Sequence, residues 1–161
     1  MKWQLNGRAE NIEAVTKRGT VLDGVLFASA TLSNPMTNGT VAGERSRTDT
    51  VVIAITGIHG NFYSNPFYFN FGDTLKGAGI DFVYAQVCDA FGEINTRNVF
   101  TEKAEVIGSW NERFSYADED ITAYIGWAEM SGYKHIVLAG HSLGANKVIH
   151  YLSISHDSRI D

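Results

Sequence analysis

The stretch HIVLAGHSLGANKVIHYL, residues 135–152, constrains this chain more than any other segment. Its opening residues, His135 to Ala139, form a β-branched and apolar run of the kind that fills a strand buried on both faces. Its closing residues set Ala145, Val148, Ile149 and Leu152 on one helical face, in a third helix that runs from Ser142. Between strand and helix stands Gly140-His141-Ser142-Leu143-Gly144, a G-x-S-x-G pentapeptide. As a bare pattern it arises by chance in about one of ten chains of this composition, so its weight comes from the strand before it and the helix after it. A strand that turns into a helix this abruptly needs glycine on both sides of the serine, where a Cβ would clash as the elements close. The serine is then held in a strained backbone conformation with its hydroxyl above the sheet edge. The helix N-terminus offers an amide and a positive dipole end to a developing oxyanion.

The rest of the chain supplies a frame for that turn. Asn11 to Lys17 and Thr20 to Ala28 read as two strands around a turn at Arg18-Gly19. Ser33 to Thr48, rich in Ser, Thr, Asn, Gly and Arg, reads as an exposed connection. Val51 to Ile55 is a continuous apolar run, a strand buried on both faces. A helix follows a short loop, with Asn65 as its cap, Pro66 in its first turn, Phe67, Phe71, Leu75 and Ala78 on one face, and Gly77 and Gly79 at its end. Asp81 to Val87 is another apolar strand, and Cys88 to Asn98 a polar loop. Ser115 starts a second helix, with Asp118, Glu119 and Asp120 where the dipole favours negative charge and Ile121, Tyr124, Ile125 and Ala128 as the buried stripe. Gly132 closes it, and Lys134 to Ala139 is the third apolar strand. Alternating strands and helices predict an α/β fold: a mostly parallel sheet, right-handed crossovers, helices on both faces and a leading antiparallel hairpin at one edge.

Composition narrows the class. The 161 residues suit one domain, which we take to span 1–161, with 44% hydrophobic and 19% charged residues in the globular range. A net charge of -5 and the lack of a basic stripe argue against nucleic acid as a partner. The single cysteine, Cys88, rules out an internal disulfide and fits a reducing, cytoplasmic setting. No apolar run reaches signal-peptide length at the N-terminus or the roughly 20 residues of a membrane span, so no membrane partner is expected. No P-loop, dinucleotide fingerprint or zinc spacing appears, and neither a metal site nor a cofactor is expected.

On GHSLGANKVIHYL at 140–152, VVIAIT with GIHGNFYSNPF at 51–67, and DFVYAQV at 81–87, the chain resembles the α/β-hydrolase superfamily, in particular its small esterase- or lipase-like members. The resemblance spans nearly all of this chain but only about the first half of that family's catalytic domain. It implies that Ser142 is a nucleophile and that Leu143 donates one oxyanion amide. A second amide comes, in that family, from the loop after the third strand, here Thr56-Gly57-Ile58-His59-Gly60-Asn61. Two registers are open. If Thr56-Gly57 replaces the usual His-Gly, the donor is Ile58; if His59-Gly60 is that pair, it is Asn61. The strand's end at Thr56 favours Ile58. Gly140, His141, Gly144, Gly57, His59 and Gly60 support the two turns.

A serine hydroxyl needs a histidine to take its proton and a carboxylate to orient that histidine, and in this superfamily both follow the serine. The acids after Ser142 are Asp157 and Asp161, and the histidines are His150 and His156. His150 lies two turns along the helix and His156 near its far end, neither within reach of its start. His59 has a loop near Ser142, but at an oxyanion-loop position. His141 packs locally and His135 is structural. Asp118, Glu119 and Asp120 read as helix-end charge, Asp89 and Glu93 as solvated loop carboxylates, Cys88 as a packed thiol, and Trp110, Phe114, Tyr116, Tyr124 and Trp127 as packing. The expectation is a serine hydrolase acting on an ester or thioester, with its acid and histidine absent from these residues. A non-catalytic binding domain or an inactive fragment is the alternative. The chain ends about where the next strand should begin. That predicts a domain truncated after the third helix, with an exposed sheet edge open to a completing chain or a homodimer.

Overall fold

The computed structural model describes residues 9–29, 48–62 and 64–161. The expected connection from Ser33 lies outside them up to Thr48. In chain order the elements are β1 (Glu10–Val15), β2 (Val21–Phe27), β3 (Thr50–Ile55), α1 (Phe67–Gly77), β4 (Asp81–Ala85), β5 (Ile94–Arg97), β6 (Ala104–Ile107), α2 (Ala117–Met130), β7 (His135–Gly140) and α3 (Leu143–Ser155).

Five strands form one sheet in the order β1-β2-β4-β3-β7. β3 is parallel to β4 on one side and to β7 on the other. The leading hairpin turns at Gly19, whose φ of 89° only glycine adopts freely, and β2 joins it antiparallel to β4. Along each strand, side chains alternate between two cores. Val51, Ile53 and Ile55 of β3 join Val83, Leu22, Leu26 and the α2 stripe Ile121, Tyr124, Ile125 and Ala128 on one face. Ala54, Phe82, Tyr84, Val25 and Phe27 meet Tyr68 and Phe62 on the other. Helix α1 therefore covers one face, and α2 and α3 cover the opposite one.

The helix faces differ from expectation in two places. In α1 the buried residues are Tyr68 and Gly72, while Phe71 is 55% exposed. Gly72 permits this rotation, because a Cβ there would meet the Phe27 ring at 2.5 Å. In α3 the buried residues are Gly144, Lys147, Val148 and Tyr151, and Ile149 is 66% exposed. Both helices carry apolar residues around much of their circumference, and contact with the sheet selects the face. Other local expectations also shift. Asn65 makes no side-chain cap, and Pro66 takes the cap position of α1. The segment at Ser115 is a 3₁₀ turn, Phe114–Tyr116, before α2 begins at Ala117. The loop after β4 contains a two-stranded hairpin, β5 with β6.

Strand β7 lies at the rim of the described sheet rather than in its middle, and Val137 is partly exposed. Along its outer side the chain returns once: Ile160 bridges Ile136 in parallel, and the Asp161 amide donates to the Ile136 carbonyl at 3.1 Å. Among the described residues no helix is long and apolar enough to cross a membrane.

Two glycines test this packing in opposite directions. An added Cβ at Gly126, inside α2, meets nothing within 4 Å. Gly126→Ala is therefore expected to stabilise the fold by about 1 kcal/mol through helix propensity. Gly72→Ala is expected to cost about 1–3 kcal/mol through overpacking against Phe27. Urea unfolding of the two variants beside the parent checks both signs.

Candidate functional site

At the end of β7 the backbone turns through Ser142 at φ 56° and ψ −128°, outside the regions an L-residue ordinarily occupies. Such a residue costs about 1–3 kcal/mol and persists only where its surroundings fix it. They do so here through close approach. A Cβ on Gly144 would lie 2.2 Å from the Ile55 carbonyl oxygen, and one on Gly140 would lie 2.6 Å from the Ala145 Cα. The first turn of α3 thus sits directly on the ends of β3 and β7. Ser142 and His141 are exposed, and the His141 ring stands edge-on to Phe67 with centroids 5.1 Å apart.

The loop after β3 reaches the same place. A Cβ on Gly57 would fall 2.8 Å from the Ser142 Cβ and 3.2 Å from its Oγ, so Gly57 is a neighbour of the hydroxyl. The Gly60 amide donates to the Gly57 carbonyl at 2.9 Å, which makes Gly57–Gly60 a tight turn with Ile58 and His59 at its centre. Ile58 is exposed, and His59 has a positive φ of 57°. Among the described residues neither the Ile58 nor the Leu143 amide donates to another protein group. Asn61 braces the turn: its side-chain amide donates to the His59 carbonyl and its carbonyl accepts from the Ser64 amide.

None of the described imidazoles is hydrogen-bonded to Ser142. His59 Nδ1 lies 2.5 Å from the Ser109 hydroxyl and 3.3 Å from the Phe91 carbonyl oxygen. His150 pairs with Asp118, and His135 with Asp161 at the opposite end of β7. His156 caps the far end of α3. Asp157 accepts from Tyr151 and Arg159, and those bonds hold its carboxyl well below the usual range.

Sequence reasoning missed a set of buried charges beside this site. Asp89, read as a solvated loop carboxylate, and Asp120, read as helix-end charge, are each 1% exposed, and Lys147 of α3 is buried with them. Lys147 Nζ lies 2.6 Å from Asp89 Oδ2. Asp120 accepts from the Cys88 amide at 2.8 Å and from its thiol at 3.2 Å, and Arg18 stands 3.5 Å away. The Cys88 thiol is packed, as expected, and burial together with Asp120 pushes its pKa far up. Burial also raises the Asp89 carboxyl, with Lys147 pulling against it. The one available signal was the spacing of Lys147, which shares a helical face with Gly144, Val148 and Tyr151. Trp110 and Phe114, expected to pack, are exposed, Trp110 at 75%. Among the described residues no group of His, Cys, Asp and Glu could hold a metal ion.

No protein-family model and no curated protein matches the chain. Solved structures do. An esterase of Pyrococcus furiosus aligns over 94% of this chain and 46% of its own, with a TM-score of 0.63 and 17% identity. A second crystal form of a Pyrococcus furiosus esterase aligns over 99% of this chain and 53% of its own, with a TM-score of 0.63 and 15% identity. An epoxide hydrolase of Vigna radiata aligns over 96% and 37%, with a TM-score of 0.57 and 14% identity. The fold is that of the α/β-hydrolases, and the chain spans about half or less of the length of these structures.

The buried acid has a consequence for stability. Burial is the largest influence on Asp120 and pushes its carboxyl up to about 6, against the Cys88 hydrogen bonds and Arg18. A carboxyl raised on folding contributes stability that is complete below its unfolded value, about 4, and is lost as pH climbs through about 6. Asp120→Asn is expected to flatten the pH dependence of the urea midpoint between pH 4 and 6.5 relative to the parent. Parallel profiles would show that Asp120 does not titrate there.

Proposed function

We propose that this chain carries the nucleophile of a serine hydrolase acting on a carboxylic ester or thioester. The observation that supports it best is the backbone of Ser142, strained at φ 56° and ψ −128° and held by two close glycine contacts. Displaying a hydroxyl this way serves attack on an electrophile, whereas a binding pocket gains nothing from the strain. In this reading Ser142 Oγ forms a bond to the substrate carbonyl carbon, its proton passes to a histidine, and the carbonyl π electrons move onto oxygen. The Leu143 and Ile58 amides donate to that oxyanion. Ile58 is preferred over Asn61 because Gly57, its neighbour in the chain, abuts Ser142. Collapse expels the alcohol or thiol, protonated by the histidine, and water then hydrolyses the acyl-enzyme. The histidine and its orienting acid come from sequence outside residues 1–161 or from a completing partner.

One observation favours a second reading, a non-catalytic domain of the same fold: no described imidazole bonds to the Ser142 hydroxyl. Labelling of the native protein from its source with a fluorophosphonate, followed by peptide mapping, separates the two. An adduct on Ser142 supports the hydrolase; folded protein that remains unlabelled at 140–144 removes it. For residues 1–161 alone, turnover of p-nitrophenyl esters is expected to stay within the residual ~10³- to 10⁴-fold acceleration that survives loss of triad members. Robust turnover abolished by Ser142→Ala would locate a base inside these residues, with His59 the first to substitute.

A further inference from the structure

The described sheet has a second rim, opposite β7, formed by β1, whose strand partner there is β2. Ile12 and Ala14 pair with Gly24 and Leu22. A Cβ on Gly24 would meet both Ile12 and Tyr124 at 3.0 Å, so this face of β1 looks toward α2, and Glu10 shares it by alternation. Strand β1 is antiparallel to β2, and β2 to β4, so β1 begins at the same end of the sheet as β4, β3 and β7. Helix α2 ends just before β7 starts, which puts Trp127 and Met130 at that end too. Between β1 and α2 runs a groove of about 520 Å³ that is lined by Ala14, Ala123, Gly126, Trp127 and Met130. Met130 is 85% exposed, and a Cβ on Gly126 would meet nothing within 4 Å. An apolar furrow beside a sheet rim is a surface that calls for a cover.

The sequence just before β1 matches that groove. Residues 1–8 read MKWQLNGR. Apolar and polar residues alternate over 1–5, the period of a strand with one buried face. Asn6-Gly7 is a pair strongly favoured in two-residue hairpin turns, whose positive φ angles it adopts at little cost. A turn there sets Leu5 opposite Arg8, Trp3 opposite Glu10 and Met1 opposite Ile12. Opposed residues share a face, so Met1, Trp3 and Leu5 fall on the α2 side and Lys2 and Gln4 on the other. A slip of one residue would turn Lys2 and Gln4 into the groove, so the pattern specifies the register. Five residues at roughly 3.3 Å each span about 17 Å, against about 21 Å for the 14 residues of α2.

We propose that this groove is the docking site of residues 1–5 of the same chain, which pair antiparallel with β1 and lay Met1, Trp3 and Leu5 against Trp127 and Met130. The inference is independent of the hydrolase reading and requires no turnover. Two measurements on the chain test it. Lys2→Cys with Asn11→Cys joins a directly opposed pair that exchanges no ladder hydrogen bonds, with Cα atoms about 4.5 Å apart. It is expected to form an intramolecular disulfide under mild oxidation, whereas Lys2→Cys with Glu10→Cys, on opposite faces, stays reduced. Trp3→Ala is expected to lower the urea midpoint by about 1 M, and Lys2→Ala to leave it unchanged. A disulfide that forms only between chains, seen as a dimer on a non-reducing gel, assigns the groove to a second copy and overturns the proposal. So does a lack of crosslinking in folded protein, equal crosslinking of both pairs, or a Trp3→Ala midpoint equal to that of the parent.

Discussion

The site depends on how closely α3 approaches the sheet. Gly144 brings the first turn of α3 onto the Ile55 and Thr56 carbonyls, and with any larger residue that distance cannot be kept. The approach fixes Ser142 in its strained conformation and puts the loop after β3 against its hydroxyl. One turn further along α3, Lys147 meets Asp89 in the interior. The Asp89 carbonyl in turn accepts from the His59 amide at 3.2 Å, so the helix, the turn after β4 and the Gly57–Gly60 turn are joined in sequence. A shift of α3 would therefore be felt at both amides proposed for the oxyanion.

This arrangement places charge where a hydrophobic protein interior is least hospitable. Asp81, also fully buried, shows how such a group is accommodated: it accepts from the Ser29 amide and hydroxyl and from the Tyr133 hydroxyl. Asp89 is accommodated differently, by one buried cation, Lys147, at 2.6 Å.

Much of the frame was legible because its signals are local. The runs at 51–55, 81–85 and 135–139 are apolar and short, the glycines at 19, 79 and 132 take positive φ, and the pentapeptide around Ser142 lies between a strand and a helix. What failed to show depends on distant partners. The buried face of α3 could not be read from residues 143–155, since Ile149 and Leu152 are as apolar as Val148 and Tyr151 and only the sheet distinguishes them. Asp89 carries no local mark of burial, because Lys147, which meets it, is far along the chain. The β5–β6 hairpin escaped notice since its strands are four residues each and alternate with polar side chains.

The order of strands also governs when the structure can form. β3 lies between β4 and β7, both of which follow it in the chain, and Thr50 finds its partner only at His135. Such pairing has high contact order, and the entropy of closing the long intervening segment must be met before the contact stabilises anything. A ribosome adding about 5–20 residues per second would release the β1–β2 hairpin seconds before β7 emerges. During that interval β3 would have one open edge and no elbow above it, so the strained conformation of the serine can form only after β7 has joined the sheet.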